Sequence, residues 1–545
     1  MSVLVMLGIA FLLLLAVLHH IKRDNDSYLN PNGSLLFWAF VSVCSNYLFL
    51  NKLVINSSWI VGLLAMIVLF AAFVIVYTVI LHKYIAKFIL GFLIIANTAA
   101  IYFMQTYNVE IDKIMMINVF QTDVAEVGAL ISTKMLLFAG VDILLFYLLV
   151  KSNFVNKGWK QDLQRRLKLI LQAGLLVAVI LLPVAGKLGT FVEERKHLLY
   201  MMVPTNYISS TISVIKILKK HDKITPLNKK TEINRYWKDK TRKNILVVVV
   251  GESGRAANYS LNGYARDTNR HLKQFAKDMM VFKNATACGT STAVSVPCMF
   301  SMLGRDNFIP GSASYLENVL DVFAYNDYKV IWRENNSSCK GNCTRITTEI
   351  FCQDNTCLDE VMQKDLKEKI RSIDDNIVLV LHQYGSHGPD YYLRYPKEFE
   401  IYKPVCESEI LKDCSYEELV NAYDNSIVYN SYLAAEMLKD LSAFDDEYNI
   451  VVFYTSDHGE SLGEDGFYMH SGVYDRSPAY QKEVPFWVWM PEKTKKNMNY
   501  SSVCLTNQTK RQASHDNLFH SMLGVAGLKI EAYNPELDIF AKCRN

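Results

Sequence analysis

The sequence predicts two different halves, an N-terminal bundle of transmembrane α-helices and a C-terminal α/β sandwich with a mainly parallel sheet. Hydrophobic residues make up 51% and charged residues 20% of the 545 residues, which is too apolar for an ordinary soluble protein. The apolar excess lies before about residue 190, whereas Val/Ile runs alternate with helical patterns after about residue 240. We therefore expect a transmembrane domain at 1–190, a bridge at 191–240 and a globular domain at 241–545.

The membrane half contains apolar stretches at 2–18, 35–50, 59–81, 86–105, 130–150 and 169–186. Because a bilayer core needs about 20 helical residues, we expect five or six membrane helices. The first stretch is a short extra helix or a re-entrant anchor. It lacks the basic start and the small-residue cleavage site of a signal peptide.

The distribution of basic residues predicts the orientation of these helices. Segment 151–168 is rich in lysine and arginine, and Lys83 and Lys87 lie in the 82–87 turn, so both should face the cytoplasm. Loops 51–58 and 106–129 have few basic residues and should face outward. The chain after about residue 186 is therefore expected outside the cytoplasm. Its net charge of +3 gives no indication of nucleic-acid binding.

The cysteines agree with an exported domain, because ten of the eleven lie after residue 280 and form close pairs. Sequence proximity predicts four disulfides, and elimination predicts a fifth. The pairs are Cys288–Cys298, Cys339–Cys343, Cys352–Cys357, Cys406–Cys414 and Cys504–Cys543, with Cys44 free. The alternative is a metal site formed by the middle four cysteines, but their spacing is loose and the compartment oxidising.

The bridge contains one amphipathic segment. Ile208, Ile212, Ile215 and Leu218 recur at helical spacing, with lysines beside them. This pattern is equally consistent with a helix lying on the bilayer surface and with a linker helix docked on the outer domain.

The globular half contains apolar runs typical of strands buried on both faces, which predicts a parallel sheet with helices on both sides. The runs are NILVVVV (244–250), MVFKNAT (280–286), YKVIWR (328–333), NIVLVLHQ (376–383), NIVVFYTS (449–456) and VPFWVWM (484–490).

Chemically active side chains follow four of these runs, at the sheet edge where parallel strands bind ligands. They include Glu252, the hydroxyls of 290–292, His387 and the pair Asp457–His458, with His470 twelve residues further on. Two carboxylates and an imidazole suggest zinc. A threonine or serine hydroxyl bound to zinc would be deprotonated and become a nucleophile.

Several long motifs resemble the lipid A phosphoethanolamine transferases, a family that includes the mobile colistin-resistance enzymes. The resemblance extends from about residue 35 to the C-terminus. The motifs are GESGRAANYSLNGYARDT, CGTSTAVSVPCMFS, WRENNSSCKG, LHQYGSHGP, NAYDNS, SDHGESLGEDGFYMH and, in the membrane half, MMINVFQTDVAEV.

The resemblance implies an alkaline-phosphatase-type sandwich and a role for each matching residue. Thr292 would be the nucleophile and, with Glu252, Asp457 and His458, a zinc ligand. His387 and His470 would lie around the donor phosphate or a second zinc used during turnover, and Lys340 would contact substrate. In the membrane half, Asn118, Thr122 and Glu126 would lie near the lipid headgroup.

The implied reaction has two steps and takes place at a bacterial inner membrane, with the catalytic domain in the periplasm. Thr292 attacks phosphatidylethanolamine and releases diacylglycerol, and the phosphoethanolamine then passes to a lipid A phosphate. The added amine would weaken binding of cationic polymyxins. We expect a monomer with no nucleic-acid partner.

Other functions remain possible from the residues alone. A sulfatase or phosphatase of the same superfold would share the metal ligands, although the sulfatase signature C-x-P-x-R is absent. A phosphoglycerol or phosphoethanolamine transferase acting on another envelope glycan would share both halves. A transporter or sensor is disfavoured because the apolar runs contain almost no charged residues.

Overall fold

The structure is a computed structural model. It describes residues 31–107, 109–122, 134–154, 158–185, 191–192, 195–220, 224, 226–227, 231–233, 237–352, 357–408 and 410–544. The apolar stretch 2–18 and Glu126 lie outside these residues, so the predictions made for them stay predictions.

The described residues form two compact units. Those within Met1–Lys113 and Thr133–Ile212 make up the membrane unit, and those within Ile114–Ser132 and Ser213–Asn545 make up the globular unit. One short segment differs from the sequence expectation, since 114–122 lies between membrane stretches in the sequence but belongs to the globular unit. The reason is apolar packing, because Ile117 is buried in a cluster with Val214 and Ala293.

Among the described residues before 221, the α-helices are, in chain order, α1 (Pro31–Ser45), α2 (Tyr47–Ile55), α3 (Trp59–Ile80), α4 (Ala86–Tyr107), α5 (Lys113–Gln121), α6 (Lys134–Lys151), α7 (Trp159–Leu181) and α8 (Thr205–Lys220). By length and composition, α3, α4 and α7 (with its extension to Val184) could each cross a membrane. The pair α1–α2, bent by 53°, counts as a fourth if it is one span. Helix α6 has three charged residues among its 18, Lys134, Asp142 and Lys151, and is not among these candidate spans.

Packing within the membrane unit combines apolar contacts with a few buried hydrogen bonds. Helix α3 packs against α1 and α7, and α4 packs against α6. At the end of α3, the buried Arg166 guanidinium donates to the carbonyls of Thr78 and Leu81. Arg166 thus satisfies backbone acceptors that the helix itself leaves open.

The bridge is helical over Thr205–Lys220, as the isoleucine spacing predicts. Val214 is buried, whereas Ile208, Ile212 and Ile215 are 43%, 47% and 43% exposed. Whether the exposed stripe lies on a bilayer stays a prediction.

The globular unit is built around a seven-stranded sheet, which confirms the predicted α/β sandwich. In chain order the strands are β1 (Lys243–Gly251), β2 (Met279–Phe282), β3 (Tyr328–Glu334), β4 (Thr347–Ile350), β5 (Asn376–His382), β6 (Tyr448–Ser456) and β7 (Phe486–Trp489). Their spatial order is β2-β7-β6-β1-β5-β3-β4, and only β7 runs in the opposite direction to the other six strands.

Alternate residues of β1 face opposite cores, as expected for a strand buried on both sides. Val248 packs with one set of helices and Val247 with another. The remaining helices are α9 (Thr292–Met299), α10 (Gly304–Asn307), α11 (Val319–Ala324), α12 (Leu366–Arg371), α13 (Tyr416–Ser442), α14 (Glu492–Asn497), α15 (Ser502–Gln508) and α16 (Asp516–Ala526).

Two details differ from the sequence expectation. The run 280–286 forms β2 and a separate short strand, Ala285–Thr286, which pairs with Ala513–Ser514. Edge strand β4 was not predicted, because its sequence TTEI is short, polar and mostly exposed.

The five expected disulfides are all present, and Cys44 is the free cysteine. Two of them lie close to the predicted site in sequence. Cys288–Cys298 links the segment before Thr292 to helix α9, and Cys339–Cys343 encloses Lys340.

Candidate active site

Two adjacent parallel strands end in a buried cluster of two carboxylates and one imidazole. Glu252 follows β1, and Asp457 and His458 follow β6. Glu252 Oε1 and Asp457 Oδ2 each lie 3.2 Å from His458 Nε2, and all three side chains are completely buried. Two buried carboxylates beside one imidazole carry an excess of negative charge, which a bound cation would neutralise.

Backbone groups fix the orientation of Asp457 and His458. Asp457 Oδ1 accepts hydrogen bonds from the amides of Ser253 (3.2 Å) and His458 (2.7 Å). The Nδ1 atom of His458 lies 2.9 Å from the carbonyl of Gly459, so Nδ1 carries a proton, whereas Nε2 faces the two carboxylates and can bind a metal ion once its own proton has left. Asp457 Oδ2 receives no hydrogen bond from the part of the chain that the structure describes. The free carboxylate oxygen and imidazole nitrogen suit a metal ion.

The third ligand candidate is held by side chains. Asn336 Nδ2 donates to Glu252 Oε2 at 2.8 Å, and Ser253 Oγ donates to Glu252 Oε1 at 2.7 Å. Gly385 packs directly against Glu252, because a Cβ atom at position 385 would lie 2.8 Å from the backbone nitrogen of Glu252. Its φ of +54° also favours glycine.

The three ionisable groups perturb one another strongly. Burial disfavours the charged form of Glu252, but the charge and hydrogen bond of His458, together with the nearby His387 and His470, outweigh burial and hold the pKa of Glu252 well below its ordinary value. Burial and the nearby Glu252 raise the pKa of Asp457 to about 7. Burial also opposes protonation of His458, but the two carboxylates raise its pKa to about 10. Such perturbation is typical of functional clusters.

The Thr292 hydroxyl lies against this cluster at the start of helix α9. Thr292 Oγ1 is 3.2 Å from Glu252 Oε2 and 3.3 Å from His458 Nε2. The hydroxyls of Thr290 and Ser295 instead hydrogen-bond to backbone groups of other residues. The first turn of a helix also offers free amide groups to an anion.

His387 and His470 lie beside the cluster. The ring centroids of His458 and His470 are 4.1 Å apart, and those of His470 and His387 are 5.5 Å apart. His387 stacks on Tyr384 at 5.3 Å. The structure thus brings the two histidines that the sequence singles out next to the cluster.

His470 has a carboxylate partner that the sequence analysis missed. His470 Nδ1 lies 2.8 Å from Glu460 Oε2, and Tyr391 OH donates to Glu460 Oε1 at 2.6 Å. Because a carboxylate accepts, His470 Nδ1 carries the proton. Burial and the neighbouring His458 lower the pKa of His470, which favours the neutral ring.

Both missed residues follow predicted strands. Glu460 comes three residues after Asp457, and Asn336 comes two residues after β3. The sequence signal was therefore the same strand-end position that identified Glu252.

Lys340 lies in a loop beside the site and is 8% exposed. Its Nζ donates to Ser337 Oγ at 2.7 Å and to the carbonyls of Ser337 (3.2 Å) and Gln121 (3.5 Å). Gln121 is the last residue of α5, where a cation is favoured by the helix dipole.

The predicted headgroup residues are only partly described. Asn118 Nδ2 donates to Ser471 Oγ at 3.1 Å, and Thr122 Oγ1 donates to the carbonyl of Asn118 at 2.7 Å. Helix α5 ends at Gln121, so Thr122 lies just beyond it. Glu126 lies outside the described residues.

Family models of known proteins match both halves of the chain. The family model for phosphoethanolamine transferases EptA/EptB matches residues 69–218, and that for sulfatases matches residues 244–528. Phosphoethanolamine transferase EptA of Escherichia coli K12 is 34% identical over 94% of this chain and 98% of its own length. Phosphatidylethanolamine transferase Mcr-1 of E. coli is 34% identical over 78% of this chain and 83% of its own length.

A solved structure matches this chain over both of its halves. The integral membrane protein lipooligosaccharide phosphoethanolamine transferase A of Neisseria meningitidis has a TM-score of 0.88 and 30% sequence identity. The alignment covers 93% of this chain and 98% of that one.

Proposed function

The chain belongs to the phosphoethanolamine transferase family, and on that premise we propose that it transfers phosphoethanolamine from phosphatidylethanolamine to a phosphate of lipid A. It is a multi-pass inner-membrane protein whose catalytic unit lies in the periplasm. The observation that carries the proposal is the position of the Thr292 hydroxyl, within 3.3 Å of both Glu252 and His458.

The residues at the site fit a zinc ion. Glu252, Asp457 and His458 offer ligand atoms that all lie within 4.8 Å of one another, and the Thr292 hydroxyl lies beside them. Carboxylate, imidazole and hydroxyl ligands are among those that zinc accepts. When bound, zinc would favour the ionised form of the Thr292 hydroxyl and offset charge on a phosphoryl oxygen.

In the first step, Thr292 Oγ1 forms a bond to phosphorus while the bond from phosphorus to the diacylglycerol oxygen breaks. The leaving oxygen takes up a proton and departs as diacylglycerol. We assign the proton transfers to His470 and His387, since a neutral imidazole can accept a proton and return it. The first-turn amides of α9 help to balance the charge on the phosphoryl group.

In the second step, a lipid A phosphate oxygen attacks the same phosphorus and the bond to Thr292 Oγ1 breaks. Lys340 is placed to attract anionic groups near the site. The product carries one additional ammonium group per phosphate. This charge would reduce the attraction of the outer surface for cationic polymyxins.

Mass spectrometry of lipid A from cells that express the protein tests the proposal. We expect a mass gain of one phosphoethanolamine unit with the wild type and none with Thr292→Ala. Free phosphoethanolamine without modified lipid A would instead indicate a hydrolase. Unmodified lipid A together with a modified glycan would indicate another acceptor.

A further inference from the structure

The segment that carries His470 is backbone-strained on both sides of the histidine. Met469 has a φ of +60° and Ser471 a φ of +74°, in the left-handed region that residues other than glycine rarely adopt. Such a conformation is energetically costly and persists only where the surroundings enforce it. The geometry of His470 therefore depends on the contacts that hold residues 469–472, here called the His470 loop.

Part of this support comes from nearby segments of the globular unit. The amide of Ser471 donates to the carbonyl of Thr290 at 2.6 Å. Gln481 Nε2 donates to the carbonyl of Met469 at 3.1 Å, and Gln481 Oε1 accepts from the amide of Gly472 at 3.3 Å. These bonds hold the backbone, but none of them involves the Ser471 hydroxyl.

The Ser471 hydroxyl accepts its hydrogen bond from helix α5. The side-chain Nδ2 of Asn118 donates to this hydroxyl at 3.1 Å. Helix α5 is anchored next to the nucleophile, because Ile117 is buried in a cluster with Ala293, the neighbour of Thr292. The end of α5 accepts a bond from Lys340. One short helix therefore contacts three segments of the candidate site.

We propose that Asn118 is a positioning residue, which holds the His470 loop through Ser471 so that His470 keeps its place beside the cluster. The inference rests on the proposed function, since it assigns His470 to proton transfer. It differs from the role that the family resemblance implies for Asn118, a contact to the lipid headgroup. A headgroup contact acts through the ethanolamine, whereas a positioning contact acts through Ser471.

The first experiment measures the loop directly in the full-length protein. Hydrogen exchange of a peptide spanning 468–476 is compared for the wild type, Asn118→Ala, Ser471→Ala and the double variant. We expect exchange about tenfold faster in each single variant and no further gain in the double variant, because both changes remove the same bond. Val119→Ala is the matched control, since Val119 lies on the same helix and is half exposed.

The second experiment separates the two roles of Asn118 by using two soluble phosphodiesters. One is 4-nitrophenyl phosphoethanolamine, and the other is ethyl 4-nitrophenyl phosphate, which lacks the amine. We expect Asn118→Ala to lower kcat about tenfold on both probes with little change in KM, as for other residues that orient a reacting group. Ser471→Ala should do the same, and the double variant should be no slower.

Three results would overturn the inference. One is a loss of kcat confined to the amine-bearing probe, which would assign Asn118 to the headgroup alone. The second is unchanged hydrogen exchange of the His470 loop in Asn118→Ala, and the third is additive losses of kcat in the double variant. A separate result would overturn the proposed function, namely a wild type that turns over neither probe and modifies no lipid A. Hydrogen exchange would still decide in that case whether Asn118 holds the His470 loop.

Discussion

The carboxylate side and the histidine side of the candidate site are built differently. Glu252 and Asp457 directly follow two hydrogen-bonded parallel strands, so the sheet places their backbones side by side. His470 and Lys340 lie on loops that contain residues with positive φ and that side-chain hydrogen bonds hold. Substitutions on the carboxylate side should therefore abolish function, whereas substitutions that support the histidine side should reduce it by degrees.

The largest effect is expected from the hydroxyl that lies against the carboxylate side. Thr292→Ala removes the proposed nucleophile, so transfer to lipid A should fall at least about 10³-fold while the protein stays folded. Mass spectrometry of lipid A measures the loss, and circular dichroism checks the fold. Ser291→Ala is the matched control, because Ser291 is the adjacent N-cap residue and its hydroxyl makes no hydrogen bond to the described residues. A phosphoethanolamine adduct mapped to Ser291 would contradict the assignment.

Metal content should separate the two sides. Asp457→Ala removes a ligand candidate, so both bound zinc and activity should be lost, by about 10²-fold or more for activity. His470→Ala should retain one zinc per chain and lose activity through the proton transfer. Elemental analysis of the purified proteins gives the zinc content, and chelation of the wild type should reproduce the Asp457→Ala defect. Full zinc occupancy in Asp457→Ala would make that carboxylate structural.

A smaller loss is expected from the carboxylate behind His470. Glu460→Gln keeps the shape of the side chain but removes the charge that holds His470 Nδ1–H, so kcat should fall about 10- to 100-fold. Bound zinc should remain, in contrast to Asp457→Ala. Glu460 also forms a second possible ligand group with His458 and His470. A Glu460→Gln protein that loses zinc would therefore show that Glu460 belongs to the carboxylate side.

The same difference explains what the sequence could predict. Long Val/Ile runs mark buried strands, and side chains directly after them meet at one edge of a parallel sheet, so Glu252, Asp457 and His458 could be found from residue order alone. Edge strand β4 lacks an apolar run and was missed. The roles of His387, His470 and Lys340 came from the family resemblance, because loop positions depend on contacts far apart in sequence.

Asn118 illustrates the limit most clearly. Its partner Ser471 lies 353 residues away in the chain, and no periodicity relates the two. Likewise, the grouping of 114–122 with the globular unit depends on the packing of Ile117, which a hydropathy pattern between two membrane stretches does not reveal.

The smallest effect concerns a buried histidine away from the site, which provides a contrast with His470. His520 lies in α16, is 3% exposed, and accepts a hydrogen bond at Nδ1 from the amide of Asn534 at 3.1 Å. Burial lowers its pKa from 6.5 to about 4, so the folded state keeps the ring neutral. The unfolded state binds the proton more readily than the folded state does. The stability that the neutral His520 ring contributes to the folded state is therefore present above about pH 6.5 and is lost as the pH falls towards 4.

Between about pH 7.5 and pH 5 this group alone should cost about 2 kcal/mol of unfolding free energy. His520→Asn replaces the accepting nitrogen by an amide oxygen that does not titrate, so the variant should lose correspondingly less stability on acidification. Thermal unfolding of the full-length protein in detergent at the two pH values measures the difference, and zinc content and transfer activity should stay unchanged. An equal loss in both proteins would show that His520 does not contribute to acid sensitivity. A loss of activity in His520→Asn would contradict the contrast between His520 and His470. It would mean that a buried histidine in this unit affects function even when it lies away from the cluster.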